Sequence, residues 1–168
     1  MHKYALTLRQ ADKYDLKAIR EHRVNNRQYY HKTSVLDEDV FTRWLDSLDL
    51  NVSSSRVLVL VGIDHNDVEQ PICSWQMVGV GYVRLTNICH EHKTASISYD
   101  VYEQSRYKTI GNKLLSSGIE YCRHILDLMK LRCEVLESNT VSKSILEQNG
   151  FSREKSHHNH ACYLKSLR

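Results

Sequence analysis

A strand that leads into a basic turn and then a helix, residues 97–115 (ISYDVYEQSRYKTIGNKLL), constrains this fold more than any other segment. The β-rich part ends at Tyr102, the turn spans residues 106–111, and the apolar residues of the helix fall on one side. Main-chain N–H groups of such a turn converge on the positive end of the helix, which binds phosphate groups. The segment predicts a pyrophosphate site. A lone glycine there is more often a packing residue, and neither common glycine-rich phosphate motif is present.

Hydrophobic patterning predicts the remaining elements. Strands are expected at residues 4–9, 56–63, 76–85, 93–102, 131–136, 151–155 and 161–164, and helices at residues 13–25, 37–48, 108–126 and 140–148. The inner face of the third helix should carry Ile110, Leu114, Leu115, Gly118, Cys122 and Ile125. Gly150 stands where a helix C-terminus commonly has glycine.

Composition indicates one domain over residues 1–168. The net charge of +3 suits an anionic ligand and is too small to indicate nucleic acid. No apolar run has the length of a membrane span, and the N-terminus lacks the apolar core of a signal peptide. The five cysteines include no C-x-x-C pair, which favours reduced thiols in a cytoplasmic protein.

Three segments resemble the GNAT family of N-acetyltransferases, in the family's order and spacing. In the turn, Arg106, Lys108, Ile110 and Gly111 fall on family positions, whereas Tyr107 and Thr109 stand where the family usually has glycine. The opening LTLRQADKYDLKAI resembles the common start of the family, and NTVSKSILEQNGF (139–151) resembles its N-x-x-S-x-x-x-L-E-x-x-G-F signature.

The resemblance implies an α/β (α+β) fold. Its central sheet would be mixed but mostly antiparallel, have six to seven strands, splay between strands 4 and 5, and be flanked by about four helices. It also implies acetyl-CoA as cofactor and acetyl transfer to a primary amine. The implied cofactor residues are Val101 and Tyr102 for the pantetheine arm; Arg106, Tyr107, Lys108, Thr109, Ile110, Gly111 and Asn112 for the pyrophosphate; and Asn139 and Ser142 on the following helix.

The catalytic groups are less well marked. The resemblance implies that Ser142 reprotonates the leaving thiolate, because Leu146 stands where a tyrosine is common; both Asn139 and Ser142 are also ordinary helix caps. Candidates for the base are Asp100, the only carboxylate of its strand, and His92 at a hairpin tip. Each has a simpler structural interpretation, and an amine of low pKa would need only a water chain. The tract SHHNH (156–160) is read as a solvated turn rather than a metal site.

The acceptor is inferred by resemblance alone. IREHRVNNRQYY (19–30) resembles acetyltransferases that act on UDP-linked 4-amino sugars. Arg23 would then hold a diphosphate, Tyr29 or Tyr30 would stack on a uracil ring, and Asn26 would complete the substrate site. Transfer to a protein N-terminus or ribosomal protein, and a catalytically degenerate CoA-binding regulatory domain, are the alternatives; a homodimer is possible.

Overall fold

The computed structural model describes residues 5–26, 53–63, 77–106, 109–156 and 158–168. The strands are β1 (Ala5–Gln10), β2 (Arg56–Ile63), β3 (Met77–Cys89), β4 (Thr94–Val101), β5 (Lys130–Leu136), β6 (Ser152–Arg153) and β7 (His160–Ser166). The helices are α1 (Lys13–Asn25), α2 (Ile110–His124) and α3 (Thr140–Gln148), with a 3-10 turn (Glu103–Ser105) between β4 and α2. The helix expected at residues 37–48 lies outside the described residues.

The strands form one seven-stranded sheet in the order β1-β2-β3-β4-β5-β7-β6. Among the described strands, β4 and β5 are the one parallel pair, and every other adjacent pair is antiparallel. A parallel pair needs a long crossover, and α2 supplies it. The mixed, mostly antiparallel sheet confirms the fold class predicted from the sequence.

β2 is buried on both faces of the sheet. Val57 and Val59 belong to a small core cluster with Ile19 of α1, whereas Leu58 and Leu60 belong to the larger cluster beneath α2 and α3. Successive strand residues point to opposite faces, so a continuous apolar run is what two covered faces require. β2 therefore separates an α1 side of the sheet from an α2/α3 side.

A capping box fixes the start of α1. The Asp12 carboxylate accepts from the main-chain N–H groups of Tyr14 and Asp15, and the Asp15 carboxylate accepts from the Asp12 N–H. Arg9 of β1 donates two hydrogen bonds to Asp15, at 2.6 and 3.0 Å. Because Arg9 lies on the sheet, this ion pair sets how α1 leaves it.

α2 packs its apolar face on the sheet, with Leu114, Leu115 and Cys122 fully buried. The expectation for Ile125 is wrong, since this residue is 67 % exposed. The helix ends at His124 and Ile125 is its C-cap, so the chain leaves the helical path before the next inward position. Leu128, 3 % exposed, re-enters the core instead. Among the described helices, none is long and apolar enough to cross a membrane.

Candidate active site

β4 and β5 are paired only where each strand begins. Thr94, Ala95 and Ser96 pair with residues 130–132 of β5. Beyond Ser96 the two strands share no pairing, although β4 continues to Val101 and β5 to Leu136. β4 remains paired with β3 as far as Val101, so the sheet opens between residues 97–101 and 133–136.

Main-chain groups of β4 face this opening. The Tyr102 N–H donates to the Val80 carbonyl of β3 at 3.0 Å. In an antiparallel ladder, alternate residues direct their N–H and C=O groups to opposite edges. Those of Tyr99 and Val101 therefore point into the opening. Val101 suits the expected pairing with a pantetheine arm, whereas the Tyr102 amide is already committed to the sheet.

The N-terminus of α2 lies beside the end of β4. A Cβ built on Gly111 would lie 2.8 Å from Ile145 Cδ1 and 3.9 Å from Val101 Cγ2, so the absence of a side chain allows this close packing. Thr109 makes no side-chain cap, and its carbonyl accepts from the Lys113 N–H at 3.1 Å. The N–H groups of residues 110–112 precede the first helical acceptor and are available to an anion.

Arg106 does not join the helix N-terminus. Its main-chain N–H donates to the Glu103 carbonyl within the 3-10 turn. Its side chain reaches the Val101 carbonyl and Asn26 Oδ1, each at 3.5 Å. The expected role of its amide in pyrophosphate binding therefore does not fit, and its guanidinium spans from β4 to the end of α1. Tyr107 and Lys108 lie outside the described residues.

Two of the expected cofactor side chains stabilise the local fold. Asn112 donates to Gln148 at 2.9 Å and accepts from Asn149 at 2.8 Å, which ties α2 to the end of α3. Asn139 caps α3 by accepting from the Ser142 N–H at 3.0 Å. These contacts do not prevent the Asn112 main-chain amide or the Asn139 side-chain N–H groups from binding a ligand.

The hydroxyl of Tyr99 was not anticipated. It donates to the Ser142 carbonyl, 3.5 Å away, and so spans from β4 to the first turn of α3 beside the opening. Burial raises the pKa of Tyr99, and the hydroxyl stays protonated. Leu146 is fully buried and has no proton to give. Strand alternation places Tyr99 on the same face as Val101, and this alternation is the one feature of the sequence that could have pointed to Tyr99 as a site residue.

A polar cluster surrounds Asp100 on the α1 side of the sheet. His22 Nε2 lies 3.4 Å from Asp100 Oδ2, and the rings of His22 and Tyr102 have centroids 5.0 Å apart. The Asn26 amide donates to the His22 carbonyl at 2.9 Å and lies 3.4 Å from Nδ1. The structure thus brings together Asp100 and Asn26, which the sequence proposed, with His22, which it did not.

Arg23 faces the sheet rather than solvent. Its Nε donates to the Tyr82 hydroxyl at 2.5 Å, and its guanidinium carbon lies 5.6 Å from the centre of that ring. Burial raises the pKa of Tyr82 to about 12, so the hydroxyl is neutral and accepts. Burial lowers the pKa of Arg84 to about 10, and the positive charge of Arg23 adds to this. Tyr30 lies outside the described residues.

His92 is not brought to this site. It is exposed in the turn between β3 and β4, at the opposite end of β4 from Val101. Among the residues that the structure describes, no three His, Cys, Asp or Glu side chains could hold a metal ion. His157, which belongs to the SHHNH tract, is not among them.

Comparison with known proteins agrees with this fold. A family model described as an acetyltransferase (GNAT) domain matches residues 5–152. The fold is similar to spermidine N-acetyltransferase from Vibrio cholerae, solved with CoA and spermine, at 20 % identity and a TM-score of 0.67, covering 96 % of this chain and 95 % of that one. It is also similar to a domain from Methanocaldococcus jannaschii, at 19 % identity and a TM-score of 0.73, covering 98 % and 99 %. No curated protein matches the sequence.

Proposed function

Because this chain belongs to the GNAT acetyltransferase family, we propose that it transfers the acetyl group of acetyl-CoA to the primary amine of a small molecule bound on the α1 side of the sheet. Members of the family are acyl-CoA-dependent N-acetyltransferases, and acetyl-CoA supplies the acetyl thioester. The opening between β4 and β5 carries the proposal. It connects the uncapped N-terminus of α2, on one side, with the polar cluster around Asp100, on the other.

Acetyl-CoA suits the residues present. The main chain of Val101 faces the opening, where it would pair with the pantetheine arm. The N–H groups of residues 110–112 would hold the pyrophosphate together with the helix dipole. Thr109 takes no part in capping and leaves these N–H groups available.

The protein has to manage two protons. A primary ammonium must lose one before its nitrogen can attack, and we assign its acceptance to Asp100. As the amine bonds to the acetyl carbon, the carbon–sulfur bond of the thioester breaks. The nitrogen releases a second proton, and the sulfur gains one. We assign the proton of the sulfur to the hydroxyl of Tyr99, which contacts the Ser142 carbonyl in the first turn of α3, or to the hydroxyl of Ser142 itself.

The charges of the cluster favour an acceptor with an anionic group. Arg23 and Arg84 lie on the same side of the sheet as Asp100, and Arg106 reaches Asn26 at its edge. Guanidinium groups bind phosphates well because they donate in pairs. A nucleotide-linked amino sugar offers both the amine and a diphosphate, so we retain it as the first candidate.

A polyamine is the second candidate. The Vibrio cholerae enzyme was solved with spermine, and the carboxylate of Asp100 would suit an ammonium in either acceptor. A polycation would, however, bring its remaining charges close to Arg23 and Arg84. The two candidates therefore predict different effects of arginine removal. Arg23→Gln should weaken the binding of a nucleotide sugar, whereas the binding of a polyamine should be unchanged or stronger.

The test follows thiol release from acetyl-CoA by the purified protein. The acceptors are a UDP-linked 4-amino sugar, the same amino sugar without its nucleotide, spermidine, and a peptide with a free N-terminus. Release with only the nucleotide sugar supports the first candidate. Release with spermidine or the peptide moves the assignment to that class. If no amine in a wider panel is acetylated while CoA still raises the melting temperature, the chain is a degenerate CoA-binding domain and the proposal is wrong.

A further inference from the structure

We propose that Asp100, Tyr102 and His22 form a subsite that binds the ammonium group of the acceptor, with Asp100 and Tyr102 contacting it directly and His22 orienting Asp100. This inference rests on the proposed function and adds the groups that recognise the reacting nitrogen. It concerns the Tyr102 side chain rather than its main chain, and a histidine that the sequence did not point to.

Two buried polar atoms in this cluster lack hydrogen-bond partners among the described residues. They are Nε2 of His22 and the hydroxyl of Tyr102. The His22 side chain is 8 % exposed, and Tyr102 is 5 % exposed. Buried polar groups are nearly always hydrogen-bonded, and the exceptions call for an explanation such as a ligand or ordered water. Two exceptions next to one carboxylate, in the same cluster, indicate a site completed by a bound polar group.

An ammonium group has the chemistry that fits. It carries one positive charge and three N–H donors. Asp100 offers the opposite charge, and its side chain remains 19 % exposed. Burial raises the pKa of Tyr102, so its oxygen is a neutral hydroxyl that accepts a hydrogen bond. A primary ammonium would thus satisfy Tyr102 and neutralise Asp100 together.

His22 acts through Asp100. The Asn26 amide is an N–H donor 3.4 Å from Nδ1, which favours the tautomer with its proton on Nε2. That nitrogen lies 3.4 Å from Asp100 Oδ2 but makes no aligned hydrogen bond. A small adjustment on acceptor binding gives an N–H···O bond to Asp100 Oδ2 and holds the carboxylate in the orientation that contacts the ammonium. His22 is therefore a positioning residue.

The subsite lies next to the opening. Asp100 and Tyr102 are the residues on either side of Val101, whose main chain faces the gap between β4 and β5. The proton step is simple: one N–H bond of the ammonium breaks and an O–H bond forms on Asp100. The nitrogen keeps the electron pair that it needs for attack, and Asp100 later releases the proton to solvent.

Other ionisable groups near Asp100 set the background of any pH dependence. His22 contacts it from α1, and the charge of Asp100 also reaches Tyr82 of β3, Tyr99 of β4 and Tyr102 just after β4. Tyr99 lies on the opposite face of the sheet. The charged or ionisable groups that face this cluster from the α1 side are Asp15, His22 and Arg23 of α1, Tyr82 and Arg84 of β3, Tyr102, and Arg106, which reaches Asn26.

Binding is tested first, without turnover. Methylammonium chloride is titrated into the full-length protein while the histidine side-chain nitrogens are followed by ¹⁵N NMR. The His22 signal, assigned with His22→Gln, should shift and saturate. Tetramethylammonium has the same charge and no N–H group, so it should leave the signal in place. Equal responses to the two cations, or none to either, would overturn the subsite.

Kinetics then test Tyr102. With the acceptor identified by thiol release, Tyr102→Phe should raise the acceptor KM about tenfold, and kcat should stay within about twofold. Tyr163→Phe is the matched control, because it removes a hydroxyl that bonds to Glu147 on the other side of the sheet. An unchanged KM in Tyr102→Phe would remove Tyr102 from the site.

A pH profile tests His22. The N–H of His22 reaches Asp100 only when the acceptor is bound, so its loss in His22→Gln should appear in kcat, which reports the bound complex. The acid limb of kcat should move to higher pH by about one unit, because a hydrogen bond to a carboxylate favours its charged form. His124→Gln, on the exposed end of α2, should keep the wild-type profile. A wild-type profile in His22→Gln refutes the positioning role. Absence of turnover in the wild-type protein refutes instead the proposed function, whatever the NMR result.

Discussion

Adjacent residues of β4 serve different parts of the reaction because the strand alternates. Tyr99 points to the α2/α3 side and reaches the first turn of α3. Asp100 points to the α1 side and meets His22. Val101, between Asp100 and Tyr102, presents its main chain to the gap. The group that we assign to the thioester, Tyr99, and the group that we assign to the amine, Asp100, are therefore adjacent in sequence but lie on opposite faces of the sheet.

Asp100→Asn should reduce kcat/KM for the acceptor by about 100-fold, because the amide keeps the shape of the side chain and cannot accept the proton. The melting temperature should change little. Glu154→Gln, an exposed carboxylate on another part of the surface, is the control and should leave kcat/KM unchanged. A loss of less than about threefold in Asp100→Asn would assign proton acceptance to solvent.

Tyr99→Phe should lower kcat by about tenfold with little effect on the KM for acetyl-CoA, because it removes only the hydroxyl beside the opening. Ser142→Ala should have the smaller effect, within about threefold, since the contacts of Ser142 use its main-chain N–H and carbonyl. Steady-state kinetics with saturating acceptor separates the two. The reverse order would place Ser142 as the proton donor to sulfur.

At the scale of elements, local patterns in the sequence are sufficient for most of the fold. The apolar patterns that predicted α1, β2 and α3 reflect which faces of each element are buried, and the structure confirms these elements and the burial of both faces of β2. The predicted burial of Ile125 was wrong because hydrophobic periodicity does not indicate the residue at which a helix ends. The expected helix at residues 37–48 stays a prediction.

The site was harder to predict than the elements because its contacts join distant segments. His22 and Asp100 are brought together by the packing of α1 on β4, and Tyr99 and Ser142 by the packing of α3 beside the opening. No local pattern encodes such a pair. Arg106 is a further example. The turn motif indicates where Arg106 stands in the sequence, but it does not predict the 3-10 turn in which the Arg106 main-chain N–H donates to the Glu103 carbonyl.

Two buried glycines, Gly81 of β3 and Gly118 of α2, should respond differently to alanine. A Cβ on Gly81 would lie 2.5 Å from the main-chain oxygen of Asp100, which β4 holds in place. A Cβ on Gly118 would meet side-chain methyl groups instead, those of Val83 at 3.1 Å and Cδ1 of Ile97 at 3.5 Å. We expect Gly81→Ala to lower the free energy of unfolding by about 2–3 kcal/mol. Gly118→Ala should change it by less than about 1 kcal/mol, because alanine favours the helix.

Urea denaturation measures both changes. Gly81→Ala should also lower acetyltransferase activity by displacing Asp100, and Gly118→Ala should keep it. Equal stability losses in the two variants would mean that β3 and β4 can move apart at Gly81, contrary to the close packing of these strands.

At the scale of the whole molecule, the sheet divides the protein into two sides with different polar content. The α2/α3 side holds the larger apolar cluster, which contains the thiols of Cys122 and Cys133. The α1 side holds the smaller apolar cluster and beside it the polar groups around Asp100. An acceptor can thus be recognised by charge on one side, while the described residues of the larger apolar cluster on the other side carry no formal charge.

The thiols of the main core should make the protein sensitive to alkali. Burial raises the pKa of Cys122 and of Cys133 to about 12 in the folded state, from 9.0. The folded state keeps these protons above pH 9 while the unfolded state releases them. Stability from neutral thiols is therefore complete below pH 9 and is lost as the pH rises towards 12. From pH 8 to pH 10 the loss should be about 1.4 kcal/mol per thiol.

Urea denaturation at pH 8, 9 and 10 measures this loss. The wild-type protein should lose about 2–3 kcal/mol over this range from the two thiols together. In the double variant Cys122→Ala/Cys133→Ala, the loss of unfolding free energy between pH 8 and pH 10 should be smaller by this amount, although the variant is less stable than the wild type at pH 8. Leu115→Ala, at another fully buried position of the same cluster, is destabilised without losing a thiol and should keep the wild-type pH dependence. If the double variant and Leu115→Ala lose stability equally between pH 8 and pH 10, the alkaline sensitivity arises outside this core.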